Sequence, residues 1–334
     1  MRLRASLVLC GLASIWGASF LFIKVAVGEI SPATLVVGRL VLSVLALGLV
    51  AVARPAFLAG WRRYWWTGVL VGLTNNGLPY LAIAWGETRI ASGMASILNA
   101  TTPLFTVLLA NWWIGPAHES LTARRLGGVL VGFVGVAVLV GPQAILSAGG
   151  GTGVALGDLT VLAAGLSYAF GGLLSRRFAG AAVLVPPLTS QVAALVLTLP
   201  IAVFWSPPTR LPSLAVMGSV AALGVLGTSL AYLLYFWLIQ RVGATRTVIV
   251  TYLLPCTALI WGALLLGETV SWNALVGLVL VLAGTIVTNG TLDRLFGRRP
   301  PRPTDKDLAP EVLAPDTESS ATSMARTPRR NRGV

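Results

Sequence analysis

The sequence predicts an all-α membrane protein, with ten transmembrane helices arranged as two inverted five-helix repeats and both termini cytoplasmic. Three observations predict it. The 334 residues are 56% hydrophobic and only 10% charged, with a mean hydropathy of +0.83, whereas an ordinary soluble domain is about a quarter charged. Ten apolar runs approach or exceed the roughly 20 residues that a helix needs to cross a hydrocarbon core about 30 Å thick. The chain also repeats its own pattern at a fixed spacing.

The first run, 5–27, follows Arg2 and Arg4 as a secretory leader would. It continues through Phe20, Leu21, Phe22 and Ile23 to full spanning length, and so reads as a retained helix. The second, 33–53, follows Ser31-Pro32 and carries Arg39 six residues in, roughly 9 Å from its end at 1.5 Å per residue. The third, 65–86, contains Asn75-Asn76-Gly77-Leu78-Pro79, and the fourth, 90–111, contains Pro103. The fifth, 123–140, has Gly128, Gly132 and Gly135 at small-xxx-small spacing, which permits close helix approach. The sixth to tenth cover 156–175, 184–205, 213–237, 244–266 with Pro255, and 271–290 with Gly277 and Gly284. Connections are mostly under about 15 residues and leave no room for an extramembrane domain.

The formal charge of +13 would suggest nucleic acid in a soluble chain, but its location says otherwise. Nine of the 24 basic residues lie after position 290, and the rest mostly punctuate apolar runs. With an even number of spans, one face of the membrane receives Arg2, Arg4, Arg54, Arg62, Arg63, Arg124, Arg125, Arg176, Arg177, Arg241, Arg246, Arg294, Arg298 and Arg299. The other receives only Arg89 and Arg210. Positive residues stay inside, so both termini are expected in the cytoplasm. Trp61, Trp65, Trp66, Trp112 and Trp113 sit at span ends as interfacial anchors. The tail, 291–334, mixes Pro, Ser, Thr and charge, and is expected to be disordered. Cys10 and Cys256 both fall in apolar runs, and the lone His118 lies in a cytoplasmic loop. Neither a disulfide framework, a metal site nor a buried catalytic triad has the residues it needs. No enzyme chemistry, cofactor or nucleic-acid partner is therefore expected.

Sliding the third and fourth runs by 152 positions lays Tyr80 on Tyr232, Trp85 on Trp237, Arg89 on Arg241, Ile97 on Ile249 and Pro103 on Pro255. At an offset of 149, Glu119 meets Glu268, Gly128 meets Gly277 and Gly135 meets Gly284. The two units are expected over 5–140 and 153–290. Each holds five spans, an odd number, so the second must lie upside down relative to the first. Inverted repeats of this kind are characteristic of secondary transporters, which alternate access around a midplane site.

Ser14-Ile15-Trp16-Gly17-Ala18-Ser19-Phe20 with Lys24, Ser31-Pro32 before Arg39, Pro103 with Glu119, and Pro255 with Gly267-Glu268 together resemble the EamA family of the drug/metabolite transporter superfamily. The resemblance covers about 5–290. It implies a ten-helix permease in a bacterial inner membrane, many such proteins being exporters of amino acids or other small metabolites.

Polar side chains at mid-membrane depth are costly and mark candidate function. The candidate cavity comprises Trp16, Ser19, Asn75, Asn76, Tyr80, Asn99, Tyr168, Thr228, Tyr232, Thr251 and Tyr252. Pro79, Pro103 and Pro255 are candidate hinges, and Asn75 to Pro79 has the look of a broken helix. Lys24, Arg39 and Glu87 form a candidate outer gate or charge pair, with a counter-charge for a substrate carboxylate as the alternative for the cations. No Asp or Glu is expected near the middle of any span. The expected partners are a small molecule and the bilayer. A homodimer through the glycine faces stays open, and a non-transporting receptor or scaffold is the rival function.

Overall fold

Backbone polar groups that face hydrocarbon must bond within their own segment, and the chain meets this with helices throughout its described residues. The computed structural model describes residues 3–113, 122–146, 152–206, 211–243 and 247–288. All lie in one unit that ends at Leu292. The expected disordered tail, His118 and Glu119 lie outside the described residues.

In chain order the helices are α1 (Leu3–Val27), α2 (Pro32–Ala53), α3 (Trp65–Val71), α4 (Leu78–Glu87), α5 (Ser92–Asn99), α6 (Thr102–Trp113) and α7 (Ala123–Leu146). They continue as α8 (Thr152–Leu174), α9 (Val185–Trp205), α10 (Leu214–Ala221), α11 (Ala231–Val242), α12 (Ile249–Leu266) and α13 (Trp272–Thr288). Two π-helical segments interrupt otherwise continuous rods: Gly72–Gly77 joins α3 to α4, and Ala222–Leu230 joins α10 to α11. Among the described residues eight helical stretches are long and apolar enough to cross a membrane, and α13, at 17 residues, is a shorter apolar helix. The stretch from α3 to α4 is long enough but less apolar, because Asn75 and Asn76 sit at its centre.

Local signals set several helix ends. Ser31 caps α2, its Oγ accepting the Thr34 N–H at 3.1 Å, and Pro32 takes the first turn, where its missing donor costs nothing. Gly267 ends α12 in the left-handed region at φ 65°, a conformation natural to glycine. The chain then turns Glu268 back to accept from Ser92 N at 2.8 Å, Ser92 Oγ at 2.9 Å and Gly93 N at 3.1 Å. A carboxylate thus caps the positive end of α5.

Polarity is distributed from the inside out. Leu45, Leu49 and Val52 of α2 are 60%, 74% and 83% exposed, while Ser43, Asn76, Gln191 and Thr228 are completely buried. Such a surface is stable only if lipid is its solvent. The interior is drawn together by close backbone approaches. A Cβ on Gly128 would lie 2.9 Å from Gly284 O, and one on Gly135 would lie 3.0 Å from Gly277 O, so α7 and α13 pack almost backbone to backbone. Gly17 does the same for α1 on α12, where an added Cβ would meet the Thr257 side chain and lie 2.8 Å from Ala258 N.

The packing recurs at the spacing of 152. A Cβ on Gly224 would lie 2.8 Å from Arg39 O on α2, and a Cβ on Gly72 would meet Ser190 O and lie 2.9 Å from Ala193 Cβ on α9. Gly72 and Gly224 are 152 positions apart, and their seats on α2 and α9, Arg39 with Leu42 and Ser190 with Ala193, are 151 apart. Each π segment therefore rests on an equivalent helix through an equivalent glycine.

The expected break at Asn75 to Pro79 takes the form of a π turn. Proline at the second position of α4 cannot donate and would clash with the carbonyl four residues back. The wider turn accommodates it, with Leu78 N–H reaching Leu73 O. The paired prolines, in contrast, sit in different settings. Pro103 lies at the start of α6, just after an interruption at Ala100–Thr101, whereas Pro255 sits inside the uninterrupted α12.

Candidate functional site

Between the helices lies a cavity of about 380 Å³. From α1 it receives Trp16, Ser19, Phe20 and Ile23; from α2, Arg39; from the first π segment and α4, Asn75, Tyr80 and Ile83. The junction of α5 and α6 supplies Asn99, Ala100, Thr102 and Pro103, and α8 supplies Tyr168 and Gly172. The second π segment and α11 add Gly227, Tyr232 and Tyr235, and the last two helices add Thr251, Tyr252, Leu254 and Thr285. A larger recess of about 440 Å³, between α3 and α9, is lined almost wholly by apolar side chains such as Leu58, Trp61, Trp65 and Val196. It offers almost nothing polar to recognise, so the smaller, mixed cavity is the candidate site.

Of the eleven candidate cavity residues, Trp16, Ser19, Asn75, Tyr80, Asn99, Tyr168, Tyr232, Thr251 and Tyr252 line it. Asn76 and Thr228 lie behind the wall, both fully buried. Asn76 Oδ1 accepts from the Tyr232 hydroxyl at 3.5 Å, and its Nδ2 has no partner among the described residues. Thr228 donates to Leu223 O at 2.7 Å, five residues back along the π segment, and accepts from Arg39 Nε at 2.8 Å. The aromatic wall is mutually braced: Trp16 and Tyr235 rings lie 5.5 Å apart, and Tyr235 meets Phe236 edge-on at 6.0 Å. Ser19 and Thr251 spend their hydroxyl protons on Ile15 O at 3.1 Å and Val248 O at 2.7 Å, leaving oxygen lone pairs for other partners.

Arg39 departs from the expected outer charge pair. Its guanidinium carbon sits 3.8 Å from the centre of the Tyr80 ring and it faces the cavity. Lys24 also bypasses the Glu87 carboxylate. Its Nζ donates at 2.7 Å to both Glu87 O and Ile90 O, satisfying carbonyls left open at the end of α4. The Glu87 carboxylate is fully buried, with neither oxygen hydrogen-bonded among the described residues. Of the candidate hinges, Pro103 lines the cavity, and Pro79 and Pro255 are buried in the packing.

Sequence reasoning missed several features. Asp158 is 3% exposed near the start of α8, a buried carboxylate in addition to Glu87; its signal was its third place in the sixth apolar run. Tyr235, Phe20, Ile23, Ile83, Leu254 and Thr285 also line the cavity, and nothing in an apolar helix distinguishes an inward Ile from an outward one. Among the described residues no group of His, Cys, Asp and Glu could hold a metal ion.

A multi-helix membrane protein with a central, partly polar cavity fed from helices of both chain halves has the architecture of a membrane transporter. The EamA-like transporter family matches twice, at residues 3–141 and 155–290, and the chain belongs to that family. Among its relatives, a probable terminal-alkyne amino-acid exporter from Streptantibioticus cattleyicolor is 29% identical over 85% of this chain and 92% of its own length. The uncharacterized inner membrane transporter YedA of Escherichia coli is 28% identical over 90% and 96%. An uncharacterized transporter of Archaeoglobus fulgidus is 24% identical over 84% and 97%. A solved crystal structure shares the fold, with a TM-score of 0.62 at 20% identity over 88% of this chain and 99% of its own.

Proposed function

We propose that this protein is a secondary transporter that moves a small organic metabolite by alternating access around the central cavity, in the direction of export, from a bacterial inner membrane. In this reading the helices form ten spans in two inverted five-helix repeats with both termini cytoplasmic.

The observation that carries the reading is the reciprocity of the packing. At the offset of 149, Gly128 corresponds to Gly277 and Gly135 to Gly284. The contacts made are Gly128 with Gly284 and Gly135 with Gly277. A contact in which i meets j′ and j meets i′ is the signature of a two-fold relation. The matched seats of Gly72 on α9 and Gly224 on α2 support the same relation. Two halves so related can exchange shapes, and a cavity lined from both would open first to one side and then to the other. The exporter relative and the inner membrane relative support the direction, the substrate size and the location.

Purified protein reconstituted into liposomes and loaded with labelled amino acids and small amphipathic acids is expected to give saturable efflux above protein-free vesicles. A broad panel without flux would overturn the reading in favour of a non-transporting membrane receptor.

A further inference from the structure

Resting on that transport reading, we infer that Arg39 is the anion anchor of the cavity, and that the substrate is a molecule with a single carboxylate on an apolar or aromatic body. Arg39 is the one charged side chain among the described residues that line the cavity. It is 8% exposed, deep in a chain whose surroundings are lipid and apolar helix, where an uncompensated cation is costly. Among the described residues no ion pair neutralises it. Among the described residues no carboxylate lines the cavity.

What the protein does supply is position. Thr228 takes Nε at 2.8 Å and the Tyr80 ring covers one face of the guanidinium at 3.8 Å. Among the described residues Nη1 and Nη2 have no acceptor, and neither atom is among those sealed from solvent-sized space. Held by Nε and stacked on one face, the guanidinium keeps its two Nη groups for a ligand, and two parallel N–H donors match the two oxygens of a carboxylate. A single cation suits a monoanion, whereas a phosphate monoester calls for more positive charge than the lining holds. Trp16, Tyr168, Tyr235 and Tyr252 give the remainder of the molecule an apolar, aromatic enclosure. The same charge repels amines, so a plain organic cation is excluded. By the matched glycine seats the counterpart of Arg39 is Ser190, neutral, buried and donating through Oγ to Pro186 O at 2.7 Å, so the anchor is built in one half only.

The test uses the full-length protein and three probes of one shape: 3-phenylpropanoate, its neutral amide and the corresponding 3-phenylpropylammonium. Binding is read by thermal shift in detergent and movement by liposome flux. In the unmodified protein the carboxylate is expected to bind at least about tenfold tighter than the amide, and the ammonium not at all. Arg39→Gln is expected to erase the preference for carboxylate over amide, and Arg39→Lys to retain part of it. The preference is a ratio within each protein, so a loss of overall stability does not mimic it. Should Arg39→Gln not fold, the three-probe comparison in the unmodified protein and in Thr228→Val, which keeps the charge, still decides. Equal binding of carboxylate and amide, no binding of any probe, or a preference indifferent to Arg39→Gln would overturn the assignment. Flux that ignores both probe charge and Arg39 would overturn it and leave the transport reading standing. Arg39-dependent binding of the carboxylate without flux of any probe would keep the anchor and sink the transport reading.

Discussion

The two π segments, Gly72–Gly77 and Ala222–Leu230, occupy equivalent places 152 residues apart and rest on equivalent helices, yet they do opposite work. The second is saturated with bonds. Thr228 holds Arg39 Nε, while Ser229 Oγ lies 2.8 Å from Ser43 Oγ and 3.1 Å from Gly224 O. The first is left open. Asn75 faces the cavity, Asn76 Nδ2 is buried without a partner, and the tie to α8 comes from the neighbouring helix, Ser167 Oγ donating to Thr74 O at 2.7 Å. Two similarly seated segments thus carry different chemistry: one π segment fixes a cation, the other presents amides.

The largest way to break this comparison is to fill the glycine seats. Gly72→Leu and Gly224→Leu would each force a side chain into backbone of the facing helix, at about 3 kcal/mol or more. Both variants are expected to fail to yield monodisperse protein in detergent, and normal yields of either would show that the seats can move apart. Thr228→Val comes next. It removes the acceptor of a charged donor without changing shape, so a loss of about 1–3 kcal/mol is expected in thermal unfolding followed by tryptophan fluorescence. Ser229→Ala should cost about 1 kcal/mol in the same measurement, since Ser43 Oγ keeps its bond to Gln191. Asn76→Leu is the contrast to Thr228→Val: with Nδ2 unpaired and Oδ1 held only at 3.5 Å, the change is expected within about 1.5 kcal/mol of zero. A loss as large as that of Thr228→Val would mean the two segments are bonded alike. Smallest of all, Gly218→Ala on α10 meets open space and should stabilise by up to about 1 kcal/mol through helix propensity.

Much of the architecture was legible because it is written in local periods. Apolar runs mark helices, Ser31-Pro32 marks a helix start, and the 152 spacing marks duplication. The site was legible only by depth. Tyr80, Tyr168, Tyr232 and Asn99 stand out as polar groups in apolar runs, and all line the cavity. Asn76 and Thr228 stand out equally and lie behind it, because depth along a helix does not say which way a side chain faces. Arg39 was legible as too deep for a surface charge, and its partner was not: Thr228 lies 189 residues away in sequence.

By itself, then, the sequence determined the solvent and the secondary structure. Each follows from composition or periodicity, and the cost of unpaired backbone in lipid leaves the chain no alternative to helices. Only the tertiary structure decided that Arg39 turns to the cavity and Lys24 to the backbone carbonyls. It also decided that one π segment binds a cation while its twin leaves an amide open. The reason is physical: a buried polar group takes whichever partner the packing brings within about 3 Å, and that partner sits on another helix whose rotation and depth no local pattern records.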